Sequence, residues 1–225
     1  MHAPLDAQTV RLHPLAVATT SSEQPLRVQR RRAAVIDEAL DHAVLLMSTD
    51  GVGALSVSEV ARRMGIRGPS LYKYFPSRHA FYDALFARAL AGQQAAVRAA
   101  VESEPRGVPR IRAGATAAVR WAVENPALAQ LLHWRPVPGF EPSPGVFAAA
   151  EGEMVDVRAE FAEAVRLGQL TAGADSDDVV RLYTVVLSGL ISQQLANQPG
   201  ASFPDGVFSR LTRTAVDLLL SAHAP

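Results

Sequence analysis

Residues 56–75, SVSEVARRMGIRGPSLYKYF, read as two short helices meeting at a glycine, the second of them basic and aromatic. Ala61 is small where two helices cross, and Gly65, four residues on, supplies the left-handed residue that ends the first helix. Ile66 then re-enters the core, and Leu71 falls where the second helix needs a buried residue. Ser56 and Glu59 have capping-box spacing, in which hydroxyl and carboxylate each satisfy an orphan amide at the helix start. Pro69 suits the first position of the second helix, because proline loses no hydrogen bond there and presets φ. Leu71 and Phe75, four apart, face inward, which leaves Ser70, Lys73 and one or both of Tyr72 and Tyr74 outward until Phe75-Pro76 stops the helix. The spacing predicts a helix-turn-helix of the kind that reads DNA.

Bulk properties are consistent with this only once they are divided along the chain. The 225 residues carry a formal net charge of zero, which by itself argues against a nucleic-acid partner. Residues 27–90, however, hold ten basic against six acidic side chains, and the remainder after Leu90 holds eleven against fourteen. A cationic module is therefore joined to a mildly anionic body. The chain's one lysine, Lys73, lies in the proposed recognition helix, although an arginine-favouring genome would explain that as well. With 48% hydrophobic residues the chain can build a substantial core, expected as one small and one larger α domain. There is no cysteine, so disulfide and thiolate chemistry are excluded. No uninterrupted apolar run approaches the ~18 residues that span a bilayer. The run Leu15 to Ala18 is too short for a signal h-region, so a cytoplasmic protein without membrane contact is expected.

Residues 1–26 lack a periodic apolar face and read as a disordered arm. The cluster Arg30-Arg31-Arg32 follows, and either touches DNA phosphates or forms a solvated charge run. Val35, Ile36, Ala39, Leu40, Ala43, Leu46 and Met47 form one stripe of a first helix ending near Asp50-Gly51. Ser77 is placed to cap a long helix through Phe81, Leu85, Phe86 and Leu90 towards Val101. Body helices are expected from about Pro109 to Glu124, Pro126 to Leu132, Gly145 to Leu167, Asp177 to Asn197 and Pro204 to Ala222. A proline-rich loop spans Arg135 to Gly145, and no alternating strand pattern competes. The organisation is all-α: an arm over residues 1–26, a helix-turn-helix domain over 27–76, and a helical bundle over 77–225 whose helix 77–101 joins the two.

The run from Ser56 to Leu85, SVSEVARRMGIRGPSLYKYFPSRHAFYDAL, resembles the DNA-binding region of the tetracycline-repressor (TetR) family of bacterial transcription regulators. The Ala-x-x-x-Gly spacing, the Leu71-Tyr72 pair, the Tyr72 to Phe75 ending and the following Arg78 carry the likeness, which covers about residues 30–90. His79 departs from it, standing where the family often has an acidic residue. The resemblance implies that Ser56 and the amides after it bind a backbone phosphate, and that Arg67, Ser70 and Lys73 face the major groove. It implies further that Tyr72 and Tyr74 touch phosphates or thymine methyl groups, with core packing the alternative for Tyr74, and that Arg78 holds the far phosphate.

One recognition helix buries too little surface to bind tightly alone, so the body is expected to dimerise. Val179, Leu182, Val186, Gly189, Leu190 and Gln194 on one helix, and Val207, Leu211, Ala215, Leu218 and Leu219 on the last, are stripes that serve either a dimer or the subunit's own core. The resemblance also implies a pocket for a small apolar effector. Trp121, Leu131, Trp134, Phe147, Met154, Phe161 and Tyr183 are the expected lining, with an ordinary core as the alternative. No histidine pair has metal-ligand spacing, no dinucleotide, phosphate-loop or nucleophile-elbow motif occurs, and no cofactor or catalysis is expected. Glu151, Glu153, Asp156, Glu160 and Glu163 read as a solvated helix face. The expected protein is a homodimeric repressor that binds a double-stranded operator and is released by an effector. The alternative is a helical ligand carrier or interaction module that has kept the fold without operator binding.

Overall fold

The computed structural model describes residues 23–134 and 136–225, with side chains from residue 26 onward, and every regular element among them is helical. Contacts divide the chain into Met1–Asp37 and Glu38–Pro225. Of the first unit only residues 23–37 are described; they open helix α1 (Glu23–Asp50) and carry Arg27, Arg30, Arg31 and Arg32 exposed. The helix thus starts inside the stretch read as an arm, whose residues 1–22 lie outside the described part.

In the second unit, α1 ends near Asp50 as its stripe predicts, with Ala39, Leu40, Ala43, Leu46 and Met47 buried. A single 3-10 turn, Val52–Ala54, leads to α2 (Val57–Arg63) and α3 (Gly68–Leu71), and Ser77 then starts α4 (Arg78–Val101). The Ser77 hydroxyl accepts from the Ala80 amide at 3.0 Å, the cap its position suggested. Phe81, Tyr82 and Leu85 on α4 are fully buried, each contributing about 1.5–3 kcal/mol of apolar burial.

Four helices build the body core: α5 (Val108–Glu124), α7 (Pro144–Arg166), α8 (Asp177–Asn197) and α9 (Thr212–Ser221), with α6 (Pro126–Trp134) against α4. Helix α5 is central because its inner face is small: Ala115, Ala118 and Ala122 alternate with Ile111 and Val119, so neighbouring helices approach it closely. Its start is held by distant side chains. The Gly107 amide donates to Glu160 Oε2 at 3.0 Å and the Val108 amide to Gln169 Oε1 at 2.8 Å, which satisfies two orphan donors. Gly107 has φ +85°, and a Cβ there would meet Gln169 Oε1 at 2.3 Å, so only glycine fits.

The last helix is shorter than its apolar pattern predicts. Residues up to Phe208 fold as a turn, a 3-10 turn follows at Ser209–Leu211, and α9 begins only at Thr212. The cause is Gln194, read from sequence as part of a stripe serving either a dimer or the core, and fully buried here. Its Oε1 accepts from the Phe208 and Ser209 amides at 3.0 and 3.1 Å, and its Nε2 donates to the Gln198 carbonyl at 3.0 Å. One amide side chain thus replaces the helix bonds that residues 204–208 would have made. By length and composition α8 could cross a membrane, but Val180, Tyr183, Leu187, Ile191 and Leu195 place its apolar side in the core. Replacing Gln194 by alanine strands two amides, and should lower urea-unfolding stability by roughly 1–3 kcal/mol. Gln193→Ala, exposed one position earlier, should leave it nearly unchanged.

Candidate functional site

The surface around α2 and α3 is built by a tight helix ending. The Ile66 amide donates to the Ala61 carbonyl at 3.0 Å and the Gly65 amide to the Arg62 carbonyl at 3.1 Å, with Gly65 at φ +67°. This double closure ends α2 and turns the chain into α3. Helix α3 is only four residues long, and such a segment has no stability of its own in water. Leu71 and Phe75, 0% and 3% exposed, anchor it, and the Tyr74 and Phe75 amides both donate to the Leu71 carbonyl. Phe75 in turn meets Phe81 edge to face, ring centres 4.3 Å apart.

The expected contact residues fall around this anchored turn. Tyr72, Lys73, Arg67 and Arg78 are exposed, while Ser56, Ser70 and Tyr74 are half-buried. Only half of the expected capping box forms. Ser56 Oγ accepts from the Glu59 amide at 3.3 Å, but the Glu59 carboxylate turns away from the helix start. It takes Arg62 Nε at 2.7 Å, Arg62 Nη2 at 2.6 Å and Arg63 Nε at 3.1 Å. A bidentate, charge-assisted fork outcompetes one bond to a backbone amide. Arg78 lies over the Tyr82 ring and donates through Nη2 to the Gly53 carbonyl at 3.0 Å and to the Tyr82 hydroxyl at 3.2 Å. The buried Tyr82 hydroxyl itself donates to the Val52 carbonyl at 3.0 Å.

Two further features occupy the body. A cavity of about 800 Å³ lies between α4, α5, α7 and α8, with Val97, Val101, Ile111, Ala118, Val157 and Leu187 among its apolar walls. Of the seven residues expected to line such a pocket, only Tyr183 does. Leu131 and Phe161 are fully buried core, Phe161 packing on the Tyr183 ring at 5.5 Å. Met154 packs on the core and accepts from Thr184 Oγ1 at 3.7 Å, and Phe147 is exposed. Trp134 is exposed and donates to Ser192 Oγ at 2.8 Å. Trp121 lines a separate groove of about 590 Å³, lying so close to α4 that a Cβ on Gly92 would come within 3.1 Å of its Nε1. The aromatic residues are thus divided between core, groove and surface; the cavity forms instead where small α5 and α7 side chains fail to fill the space between helices.

The second feature is an outward apolar face. On α8, Leu182 and Gly189 are exposed and Val186 and Leu190 half-buried; Leu211, at the end of the 3-10 turn, and Leu218 on α9 are exposed, with Ala215 half-buried. Val185, absent from the expected stripe, is 64% exposed beside them, whereas Leu219 turns into the core.

Residues 39–85 match the family described as bacterial regulatory proteins, tetR family, and residues 111–217 match the tetracyclin repressor-like C-terminal domain. The chain belongs to the tetracycline-repressor family of transcriptional regulators. Among solved structures it is similar to the candidate regulatory protein SCO4313, 28% identical, covering 86% of this chain and 98% of that one with a TM-score of 0.66. The TetR family regulator PfmR of Thermus thermophilus shares the fold at 22% identity and TM-score 0.64, covering 82% and 94% of the two chains. So does the transcriptional regulator FadR of Bacillus subtilis, solved with stearoyl-CoA, at 14% identity and TM-score 0.69, covering 82% and 97%. Among curated protein sequences none matches.

Sequence reasoning missed three features of this TetR-family chain. Tyr82 bears no motif, and only its position four residues after Arg78 hints at the pair. Phe140, in the proline-rich loop, is buried on Tyr82 and Phe86 at 5.8 and 6.3 Å. The acidic face of α7 is not wholly solvated: Glu153 and Glu160 are half-buried, and the i, i+3, i+7 spacing of Glu153, Asp156 and Glu160 was the available signal. Hydrogen bonds from Arg62, then Arg63, pull the Glu59 carboxyl from 4.5 down to about 2. Because the folded value is the lower one, this contribution is present above pH 4.5 and disappears as pH falls towards 2. Glu59→Gln should therefore flatten the acid limb of a stability profile across that window, checked by urea titrations at a series of pH values.

Proposed function

We propose that this chain is a homodimeric repressor that leaves its operator when a small, largely apolar effector fills the cavity between α4, α5, α7 and α8. The reading rests on one observation above all: α4 reaches both sites. Its first turn holds the Val52–Ala54 turn through Arg78 and Tyr82, and Gln94, Val97, Arg98 and Val101 near its other end line the cavity. A shift of α4 forced by a ligand is carried to the segment that launches α2. The protein acts as a non-enzymatic regulator in the cytoplasm, where its operator lies.

Arg67, Ser70, Tyr72 and Lys73 enter the major groove from the exposed turn, while Ser56 with the α2 amides, Tyr74 and Arg78 hold phosphates. Arg78 has guanidinium nitrogens besides the Nη2 engaged by Gly53 and Tyr82. The basic run from Arg30 to Arg32 adds charge to this module. Two such modules reach half-sites ~34 Å apart only in a dimer. The outward apolar face of Leu182, Val186, Gly189 and Leu190 on α8, with Leu211 just before α9 and Ala215 and Leu218 on it, suits a four-helix contact between subunits. Val185 and Leu218, 64% and 68% exposed, have no other apolar cover among the described residues.

A second link runs through the loop before α7. The Ser143 amide donates to Asp83 Oδ1 at 2.7 Å, Phe140 sits on Tyr82, and α7 continues to the cavity wall at Gly152 and Glu153. An effector that prefers one spacing of α4 and α7 therefore biases the separation of the recognition turns.

Gel-shift titration against the DNA upstream of its own coding region tests the reading: binding with a steep inverse salt dependence is expected, and no binding at low salt sinks it. Lys73→Ala or Tyr72→Ala should weaken binding about tenfold or more without unfolding the protein, with Lys73→Ala reducing the salt slope by about one. Leu218→Arg should yield a folded monomer in sedimentation and lose operator affinity. Phe140→Ala should leave effector binding near wild type but blunt operator release; full release would show that α4 alone carries the signal.

A further inference from the structure

The cavity's polar groups can be accounted for one by one. Glu160 is saturated: Arg106 Nε lies at 2.7 Å, Arg110 Nη1 at 3.5 Å, and the Gly107 amide donates at 3.0 Å. Arg110 Nε also donates to the Glu104 carbonyl at 2.9 Å, so both arginines on that wall already have partners within the chain. The Tyr183 hydroxyl donates to the Ile111 carbonyl at 3.3 Å, and Gln94 Nε2 donates to the Ala149 carbonyl at 3.1 Å. Glu153, Asp156 and Arg98 remain. Arg98 and Asp156 are exposed, so water serves them. Glu153 is half-buried and accepts no hydrogen bond from any described residue.

A carboxylate withdrawn from water into an apolar wall without a donor is held at a cost. Burial is the main influence raising the Glu153 pKa, and the neighbouring Asp156 charge adds to it while Arg98 opposes. Relief comes from a ligand that brings its own donor. An anion would meet Glu153 and Asp156, with Arg106 and Arg110 held by Glu160 and only the solvent-exposed Arg98 to offset them.

We propose that the effector is an amphiphile with an apolar body on Val97, Ile111 and Leu187 and a protonated amine that donates to the Glu153 carboxylate. The cavity of about 800 Å³ accommodates a ligand of drug size. Asp156, one turn along α7, adds a second negative charge at longer range. The ligand ion-pairs with Glu153 where the protein itself supplies no hydrogen bond. The inference rests on the cavity being the effector site.

Calorimetric titration of the full chain with decylammonium, decanoate and 1-decanol, which share one alkyl chain, tests it. Decylammonium should bind at least ~10-fold more tightly than 1-decanol, and decanoate no better than the alcohol. Glu153→Gln should bring decylammonium to the affinity of the alcohol and leave the alcohol unchanged, whereas Glu151→Gln, exposed on the same helix, should change neither. Gly152→Phe, at a cavity-lining glycine with open space beside its Cα, should block all three probes. If the alcohol and decanoate bind as well as the amine, or the amine's advantage survives Glu153→Gln, the amine proposal is overturned while the cavity stands as the ligand site. If the probes bind Gly152→Phe as they bind the wild type, or none binds the wild type, both readings of the cavity fail; operator binding, measured separately, is untouched by either result.

Discussion

The buried side chain of Tyr82 touches three parts of this chain at once. Its hydroxyl donates to the Val52 carbonyl and accepts from Arg78, and its ring packs at a tilt on the Phe140 ring. A phenol buried to 0% exposure must satisfy its polar atom, and Tyr82 does so on the turn that precedes α2. The first turn of α4, the entry to the helix-turn-helix and the loop before α7 are therefore positioned by one side chain. The four-residue α3, which cannot persist by itself, is steadied from the same region through Phe75 against Phe81.

The body combines a conventional core with an incompletely filled one. On one side of α5, Val119 and Ala122 pack with Phe161, Val180 and Val216 into a continuous cluster. On the other, Gly114 and Ala118 line the cavity together with Gly152 and Ala159 of α7, and small side chains on both helices leave a volume that no described residue occupies. Charge follows the same division. Arg106, Arg110 and Glu160 close one end as a bonded network that also caps α5, which makes them structural as much as electrostatic. Glu153, outside that network, is the group left for a partner.

Local chemistry made the helix-turn-helix readable in advance. Gly65 at a left-handed residue, Ser56 and Ser77 as caps, and the buried pair Leu71 and Phe75 each act within one turn of chain, where spacing and residue type suffice. Even there, the second half of the Ser56 and Glu59 box was lost, because Arg62 and Arg63 competed for the same carboxylate. The expectation failed at α9 for a similar reason. Its amphipathic pattern is continuous, but Gln194, fourteen residues upstream of Phe208, supplies the acceptor that lets residues 204–208 leave the helix.

The sequence by itself determined the all-helical architecture, the position of the anchored turn and the exposure of Lys73, since these follow from periodicity and caps, while the choice between Tyr72 and Tyr74 as the outward tyrosine was left to the fold. It also marked the apolar stripes of α8 and α9 without saying which way they faced. Only the tertiary structure decided that Leu182 and Leu218 point outward while Gln194 and Leu219 point in, and that the cavity is walled by alanine, glycine and valine rather than by the tryptophans. Helical spacing records which residues share a face; whether that face meets a neighbour, a gap or water depends on side chains contributed from a hundred residues away, as when Arg112 finds Asp217 at 2.6 Å. The first turn of α4 was legible as a capped helix start, but the bond from Tyr82 to Val52, thirty residues back in the chain, exists only because folding brings them together.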